Sequence, residues 1–486
     1  MNLPQKVAAL ALSLAFAQAE SPPDSALAPL IAHVAAHRDG RAVATLDFAA
    51  LEGDRSRLPI GVFDSGIGGL TVLEAILSLD TFNNRTLQPG ADGVPDFAGE
   101  RFVYFGDQAN MPYGNYPAKG AESFLRELIV RDAIFLLGAR YRTGAAVRFD
   151  KPAVKGIVIA CNTATAYGIE DIRAALRAWK LEVPVIGVVE AGARAVSATL
   201  PVEGGGGAVA VLATVGTCSS GAYPRGIGRA GGLAGKSIPP IVQQGSIGLA
   251  GALEGNPAFI TATARTGAYL GPGMANADAP LDPALLAAYG FDMARVLGDP
   301  ARPETWQLNS PANYARYDAA SLVESYRKRG GGPAIGTVVL GCTHFPIARE
   351  EIAEAFARLR DFRDGAGEQP YRALIAEQLT LVNPAEFTAK ELFRELAQRR
   401  LRADRESAHA PVVAGAFVSV PNPAWPGVKL DASGALDTGY KLARPTGSVE
   451  REDVWCVPMK EVPALLRSLS GLAPALPVVW SALSQP

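Results

Sequence analysis

From Pro59 onward the chain alternates short apolar runs with longer stretches of helical spacing. "LPIGVFD" is a run of apolar β-formers that ends in "SGIGG" and passes into "LTVLEAILSL", where apolar residues recur at helical intervals. "ERFVYFGD" predicts a second strand, "VKGIVIA" a third, "VPVIGVV" a fourth, "GAVAVLAT" a fifth, "IPPIVQQ" a sixth and "GTVVLG" a seventh. The third runs into "CNTAT" and a helical "YGIEDIRAALRAWK". Strands alternating with helices predict an α/β chain with parallel sheets.

The alternation is interrupted. "DTFNNRTLQPGADGVPDFAGE" is polar and turn-rich. The stretch from about 256 to 332 is rich in Gly, Pro, Asn and Asp and reads as an insertion. In the tail, "VPNPAWPGVKLDASGALDTGY" reads as loop or short hairpin, and "GGGG" at 204–207 as a flexible turn. Residues 20–57 read as a polar, mostly irregular or helical lead-in. Ahead of them, "VAALALSLAFA" after Lys6 is too short to span a bilayer and is followed by "AQA", a small-x-small cleavage pattern. Residues 1–19 therefore read as a secretory signal, with periplasmic or secreted localisation if it operates. No later segment has the length and apolarity of a membrane span.

Composition adds limits. With 486 residues there is room for two or three domains. A formal net charge of -2 gives no footing for a nucleic-acid partner. The four cysteines, Cys161, Cys218, Cys342 and Cys456, are spread widely and form no CxxC, so a metal site is not expected. Cys218 and Cys456 read as structural residues or as a disulfide. His33 and His37 lie four apart in the lead-in and read as solvated surface.

The chemistry concentrates at two of the thiols. "KGIVIACNTATA" and "IGTVVLGCTHFP" share one build: a β-branched apolar run, a small residue, Cys, a polar pair and a helix start. Open parallel sheets bind ligands beyond the carboxyl ends of their strands, which is where both thiols fall. Cys161 and Cys342 on opposite sides of a cleft could move a proton to and from the two faces of one carbon. A free thiol has a pKa of about 8.5, so the working base needs help from a helix N-terminus, a His or a carboxylate. Asp64 and His344 are the nearby candidates, although Asp64 also suits a helix N-cap. Either thiol alone could be a buried structural cysteine, and the pair could be a disulfide. The "SGIGG" turn lacks G-x-G-x-x-G and is a weak nucleotide signal.

"IGVFDSGIGGLTVL", "YFGDQANMPYGN", "IACNTATA", "PVIGVVEAGARA" and "LGCTHFPI", in this order, resemble glutamate racemase of the cofactor-independent aspartate/glutamate racemase superfamily. The likeness covers about 58–254 and 333–395, with "LVNPAEFTAKEL" similar to the family's closing segment. It implies an isomerase that interconverts L- and D-glutamate by two-base proton transfer without pyridoxal phosphate or metal, with D-glutamate feeding cytoplasmic peptidoglycan synthesis, so a cytoplasmic localisation is the family alternative to export. Cys161 would act on the D face with Asp64, and Cys342 on the L face with His344. Asp64, Ser65, Tyr113, Gly114, Asn162, Thr163, Thr214, Thr217 and Thr343 would hold the amino acid. The family's Cys-Pro-led segment is replaced by "GSIGLAGALEG", which makes Glu254 the candidate acid behind His344. "QANMPYG" also departs from the family's usual "TAR" before Pro-Tyr-Gly.

The resemblance and the strand pattern together predict two Rossmann-like domains with parallel sheets, related by pseudo-two-fold symmetry, and a site in the cleft between them. The first domain is expected over 58–183 with a return at 344–400. The second is expected over 184–343, carrying the insertion at about 256–332, and 401–486 is a C-terminal extension. The partner is a small-molecule amino acid, and a homodimer is compatible with this reading. Alternatives are a racemase for aspartate or another acidic amino acid, and an exported amino-acid-binding relative without catalysis.

Overall fold

The protein is represented by a computed structural model that describes residues 25–202, 206–264, 269–403 and 410–483. The signal peptide expected over 1–19 lies outside the described residues. Two larger sheets organise the chain. Their strands are β1 (Ile60–Asp64), β2 (Arg101–Gly106), β3 (Gly156–Ile159), β4 (Val185–Gly187), β5 (Ala208–Thr214), β6 (Ile241–Ser246), β7 (Ile335–Gly341), β8 (Ile375–Val382), β9 (Val412–Pro421) and β10 (Val454–Pro458). The first sheet has the order β10-β9-β2-β1-β3-β4, parallel except for the β9–β10 pair. The second has the order β8-β7-β5-β6 and is parallel throughout. The mixed α/β architecture with parallel sheets is therefore as expected.

The helices that cover these sheets are α1 (Ala28–Ala36), α2 (Leu70–Leu77), α3 (Glu122–Leu137), α4 (Asn162–Trp179), α5 (Val188–Thr199), α6 (Val215–Ser220), α7 (Ala222–Leu233), α8 (Leu249–Leu253), α9 (Pro311–Lys328), α10 (Arg349–Asp361), α11 (Pro384–Gln398) and α12 (Pro477–Leu483). Because successive strand residues point to opposite faces, each sheet feeds two layers. Val62 of β1 and Tyr104 of β2 enter a central core together with Val209 and Val211 of β5 and Val339 of β7, and α2, α5 and α11 fill it. Phe63, Phe105 and Ile157 enter an outer core under α1, α3 and α4. Ala210, Leu212, Val338 and Leu340 enter a third under α9 and α10. The two sheets thus share one buried layer.

Several expected boundaries are corrected. β4 pairs with β3, so the first sheet extends past residue 184. The return at 344–400 belongs largely to the second sheet: α10 buries Ile352, Phe356 and Leu359 in its outer core, and β8 pairs with β7. α11 and Val382 at the end of β8 come back to the central layer. The end of the 256–332 insertion is a core helix, α9, capped by Ser310 and burying Tyr314, Leu322 and Val323. The lead-in is not merely polar, since Leu27, Leu30 and Val34 are fully buried and Trp179 donates to the Ile31 carbonyl at 3.0 Å. The expected C-terminal extension supplies β9 and β10, which complete the first sheet beside β2. All four cysteines are free thiols, so the disulfide readings fall away. His33 bonds the Val43 carbonyl through Nε2 at 3.1 Å. No described helix is long and apolar enough to cross a membrane.

The tail also grips the loop after β2. Arg444 is buried, bonds Asp453 at 3.1 Å, and reaches the Asn110 side chain at 2.5 Å and the Tyr116 hydroxyl at 3.1 Å. Lys441 donates to the Met111 carbonyl at 2.6 Å, and the Ala109 N–H donates to Ser419 at 2.9 Å. Removing one partner of a buried, hydrogen-bonded ion pair strands the other and costs about 3–5 kcal/mol. Arg444→Ala should lower unfolding free energy by that amount in urea titration. A loss under about 1 kcal/mol would show that the tail is not integral to the first sheet.

Candidate active site

The turn after β1 sets the geometry. Asp64 ends the strand buried, and its Oδ2 accepts the Gly66 N–H at 3.1 Å. Its Oδ1 has no hydrogen-bond partner among the described residues. A Cβ on Gly69 would lie 2.4 Å from Asp64 Cβ, and one on Gly68 would lie 2.3 Å from His344 Cε1 and 2.5 Å from Thr343 Oγ1. Glycine is therefore required on both sides of the turn, which stands between Asp64 and His344. The Thr71 hydroxyl lies 2.7 Å from the Thr343 carbonyl and 2.9 Å from that of Gly68, tying the first unit to the second.

Cys161 follows β3 and is the N-cap of α4, where its sulfur accepts the Ala164 N–H at 3.4 Å. Ser65 Oγ lies 3.6 Å from the same sulfur. Burial pushes the Cys161 thiol up to about 12, and Asp64 adds to this, while the contacts with Ala164 and Ser65 pull the other way. Burial likewise raises Asp64, opposed by the His344 charge and the amides of Gly66 and Gly69. The first thiol is thus held protonated beside a carboxyl that also resists ionisation.

Cys342 follows β7 and is equally buried. Its sulfur lies 3.8 Å from His344 Nδ1, and His344 Nε2 lies 2.8 Å from Glu254 Oε1. Burial alone would lower the His344 pKa. Glu254 and Cys342 more than reverse that and hold the imidazole well above its ordinary value. Glu254 is the C-cap of α8, fixed by left-handed Gly255 (φ +70°), whose N–H donates to the Ala252 carbonyl at 3.1 Å while that of Asn256 donates to the Gly251 carbonyl at 2.8 Å.

Hydroxyls from both units lie between the thiol-bearing strand ends. Thr163 Oγ1 at the start of α4 lies 3.2 Å from Thr214 Oγ1 and 3.1 Å from Thr217 Oγ1, across the seam. Thr214 also caps α6. The backbones of Gly114 and Gly216 meet so closely that a Cβ on Gly216 would lie 2.7 Å from Gly114 Cα. The structure therefore gathers Asp64, Ser65, Cys161, Asn162, Thr163, Gly114, Thr214, Thr217, Cys342, Thr343, His344 and Glu254 along one seam. Tyr113 is the exception. Its hydroxyl is buried between Asp107 (2.5 Å) and Asp132 (2.7 Å), so it is engaged by the first unit's interior and not free for a ligand. Burial and the charge of Asp107 push Asp132 well above the carboxylate range, which lets it keep the proton this pair of contacts requires.

Three further residues belong to the seam. Tyr223 of α7 donates to Asn162 Oδ1 at 2.7 Å, and its ring packs where a Cβ on Gly341 would sit. Tyr104 donates to the Gly66 carbonyl at 2.7 Å. Thr71 forms the bridge described above. A tyrosine inside the buried apolar run Phe102–Phe105 is a signal for Tyr104, because its hydroxyl needs a partner. Tyr223 and Thr71 carry no such signal. Among the described residues, no group of three or more His, Cys, Asp or Glu side chains is placed to hold a metal ion.

Residues 139–265 match the Asp/Glu/Hydantoin racemase family model. The chain is 38% identical over 189 residues to a glutamate racemase of Thermus thermophilus, covering 39% of this chain and 56% of that protein. It is 28% identical over 370 residues to the glutamate racemase of Parafrankia sp., covering 76% of this chain and 88% of that one. At the higher identity the chain spans about half the length of its relatives, 56% of the Thermus protein and 50% of the one from Koribacter versatilis. A glutamate racemase isoform from Bacillus anthracis overlays with a TM-score of 0.42 at 23% identity, covering 73% of this chain and 86% of that one.

Glu254→Gln removes the charge that offsets the burial of His344. The imidazole pKa, followed by NMR, should fall from well above its ordinary value toward that value. An unshifted titration would mean that the carboxylate does not set the His344 charge.

Proposed function

We propose, from the premise that the chain carries an Asp/Glu/Hydantoin racemase domain, that it interconverts L- and D-glutamate by two-base proton transfer. The observation that carries this reading is the pair of strand-end thiols on one seam, each with its own ionisable support. Cys161 has Ser65 and Asp64 beside it, and Cys342 has His344 and Glu254.

In the L-to-D direction the Cys342 sulfur takes the α-proton, with the charged His344 imidazole beside it. The Cys161 thiol then gives its proton to the opposite face of the same carbon. A thiol pushed up to about 12 is protonated and ready for that second step at neutral pH. Return of the enzyme to its starting form moves one proton from the Cys342 side to Cys161. In the D-to-L direction the roles reverse. Thr163, Thr214 and Thr217, with Asn162, Ser65, Gly114 and Thr343, offer the hydroxyl, amide and backbone groups that orient the α-carboxylate, ammonium and side-chain carboxylate. Seclusion of the thiols from water strengthens each of these electrostatic contacts. This chemistry draws on no cofactor, and D-glutamate for peptidoglycan is the product role it would serve.

Incubation with L-glutamate in deuterated water should place deuterium at the α-carbon of both enantiomers. Cys161→Ser and Cys342→Ser should each cut racemisation by at least about 100-fold. Full activity in either variant removes that thiol from the mechanism. Calorimetric binding of glutamate or aspartate with no α-label from either would identify an amino-acid-binding protein instead.

A further inference from the structure

The helix that presents Glu254 to His344 cannot hold itself in place. α8 is only five residues long, Leu249–Leu253, and no side chain caps its start. An isolated helix of this length has negligible intrinsic stability. Its sequence, "GLAGAL", adds glycines at 248 and 251 and lacks any proline that would stiffen it. Yet the Glu254 carboxylate it carries sits within hydrogen-bond distance of a buried imidazole.

The support comes from outside the helix. The Phe259 ring lies against both glycines: a Cβ on Gly251 would fall 2.3 Å from Phe259 Cδ2, and one on Gly248 would fall 2.9 Å from Phe259 Cδ1. Gly248 has φ +106° and also meets the Tyr314 ring, where a Cβ would lie 2.4 Å from Cε1. Tyr314 and Phe259 stack edge to face with centroids 6.5 Å apart, and the Tyr314 hydroxyl donates to the Phe259 carbonyl at 2.9 Å. One turn along α9 from Tyr314, buried Asp318 accepts a hydrogen bond from Ser246, the last residue of β6. The segment from Ser246 to Glu254 is therefore held at its start by Asp318 and along its length by Tyr314 and Phe259.

We infer that Phe259 and the α9 residues Tyr314 and Asp318 are positioning residues for the Glu254–His344 pair, and so for the Cys342 half of the proton transfer alone. The inference rests on the two-thiol reading, and it gives the inserted segment a role in that chemistry. None of the three residues touches the reacting carbon. Their effect is on how well Glu254 meets His344, and through it on Cys342.

Directional isotope effects test this. The two enantiomers have equal free energies, so kcat/KM must be the same in both directions and cannot separate the thiols. Primary isotope effects can. In Phe259→Ala, proton removal by Cys342 becomes slower relative to the other steps. The deuterium effect with α-deuterated L-glutamate should rise, and that with α-deuterated D-glutamate should not, alongside a roughly tenfold drop in kcat in both directions. Phe259→Leu, which refills most of the space, should restore both. The His344 NMR titration should shift toward the ordinary imidazole value in Phe259→Ala. If Phe259→Ala does not fold, Tyr314→Phe keeps the ring and removes the hydroxyl that donates to the Phe259 carbonyl and lies 3.3 Å from the Tyr269 hydroxyl, and it should show the same directional change at smaller size. Unchanged rates and isotope effects, or equal changes in both directions with an unshifted His344, would overturn the inference. Absence of α-exchange in the unmodified protein would instead defeat the two-thiol reading, while the His344 titration still reports on the support that Phe259 and Tyr314 give to Glu254.

Discussion

Close backbone approach at the seam is the constraint on which the site depends. Gly68 lies against His344 and Thr343, and Gly216 lies against Gly114, at distances no side chain would permit. These contacts let strand ends from two different sheets converge without a layer of side chains between them. The shared core behind the seam fixes the relative position of the sheets, since Val62 and Tyr104 of one pack in the same layer as Val211 and Val339 of the other. Buried apolar side chains contribute about 1.5–3 kcal/mol each, so this layer resists the shear that would misalign the two thiols.

The two ends of the seam solve the problem of a buried thiol differently. At Cys161 burial and the neighbouring carboxyl both favour the protonated form, and only an amide and a serine oppose them. At Cys342 the partner is an imidazole kept charged by Glu254. The asymmetry suits a pair that must begin each turnover with one proton between them. It also distributes fragility unevenly. The Cys161 end is built on β1, β3 and an 18-residue helix, all in the first unit's core. The Cys342 end relies on a five-residue helix braced from the insertion.

Much of this was legible in the chain. The strand-to-thiol repeat at Cys161 and Cys342 identified both strand ends, and the alternation of strands and helices identified the sheets. Other elements were hidden for physical reasons. β8 is an edge strand whose exposed Glu377, Gln378 and Thr380 break the apolar run that marks buried parallel strands. α9 buries tyrosine, alanine and asparagine more than aliphatic side chains, so its period is faint in a Gly- and Pro-rich region. Tyr113 sits in a recognisable motif, but no local pattern could show that its hydroxyl would be taken by Asp107 and Asp132, the second of which lies on a separate helix. Glu254 could be named from its place in the chain, whereas its contact with His344 depends on two loops meeting 90 residues apart.

The placement of β9 beside β2 has a consequence for the order in which the molecule can assemble. All four strands of the second sheet lie between Ala208 and Val382, and their widest pairing joins Ala208–Thr214 to Ile335–Gly341. The first sheet must wait for Val412–Pro421 to reach Arg101–Gly106, a far longer loop to close. On a ribosome the second unit can finish while the first still shows an unpaired edge at β2, with its amides and carbonyls open to other strands. The same join that locks the loop around Asn110 in the finished protein therefore leaves the nascent chain with its most adhesive surface exposed for longest.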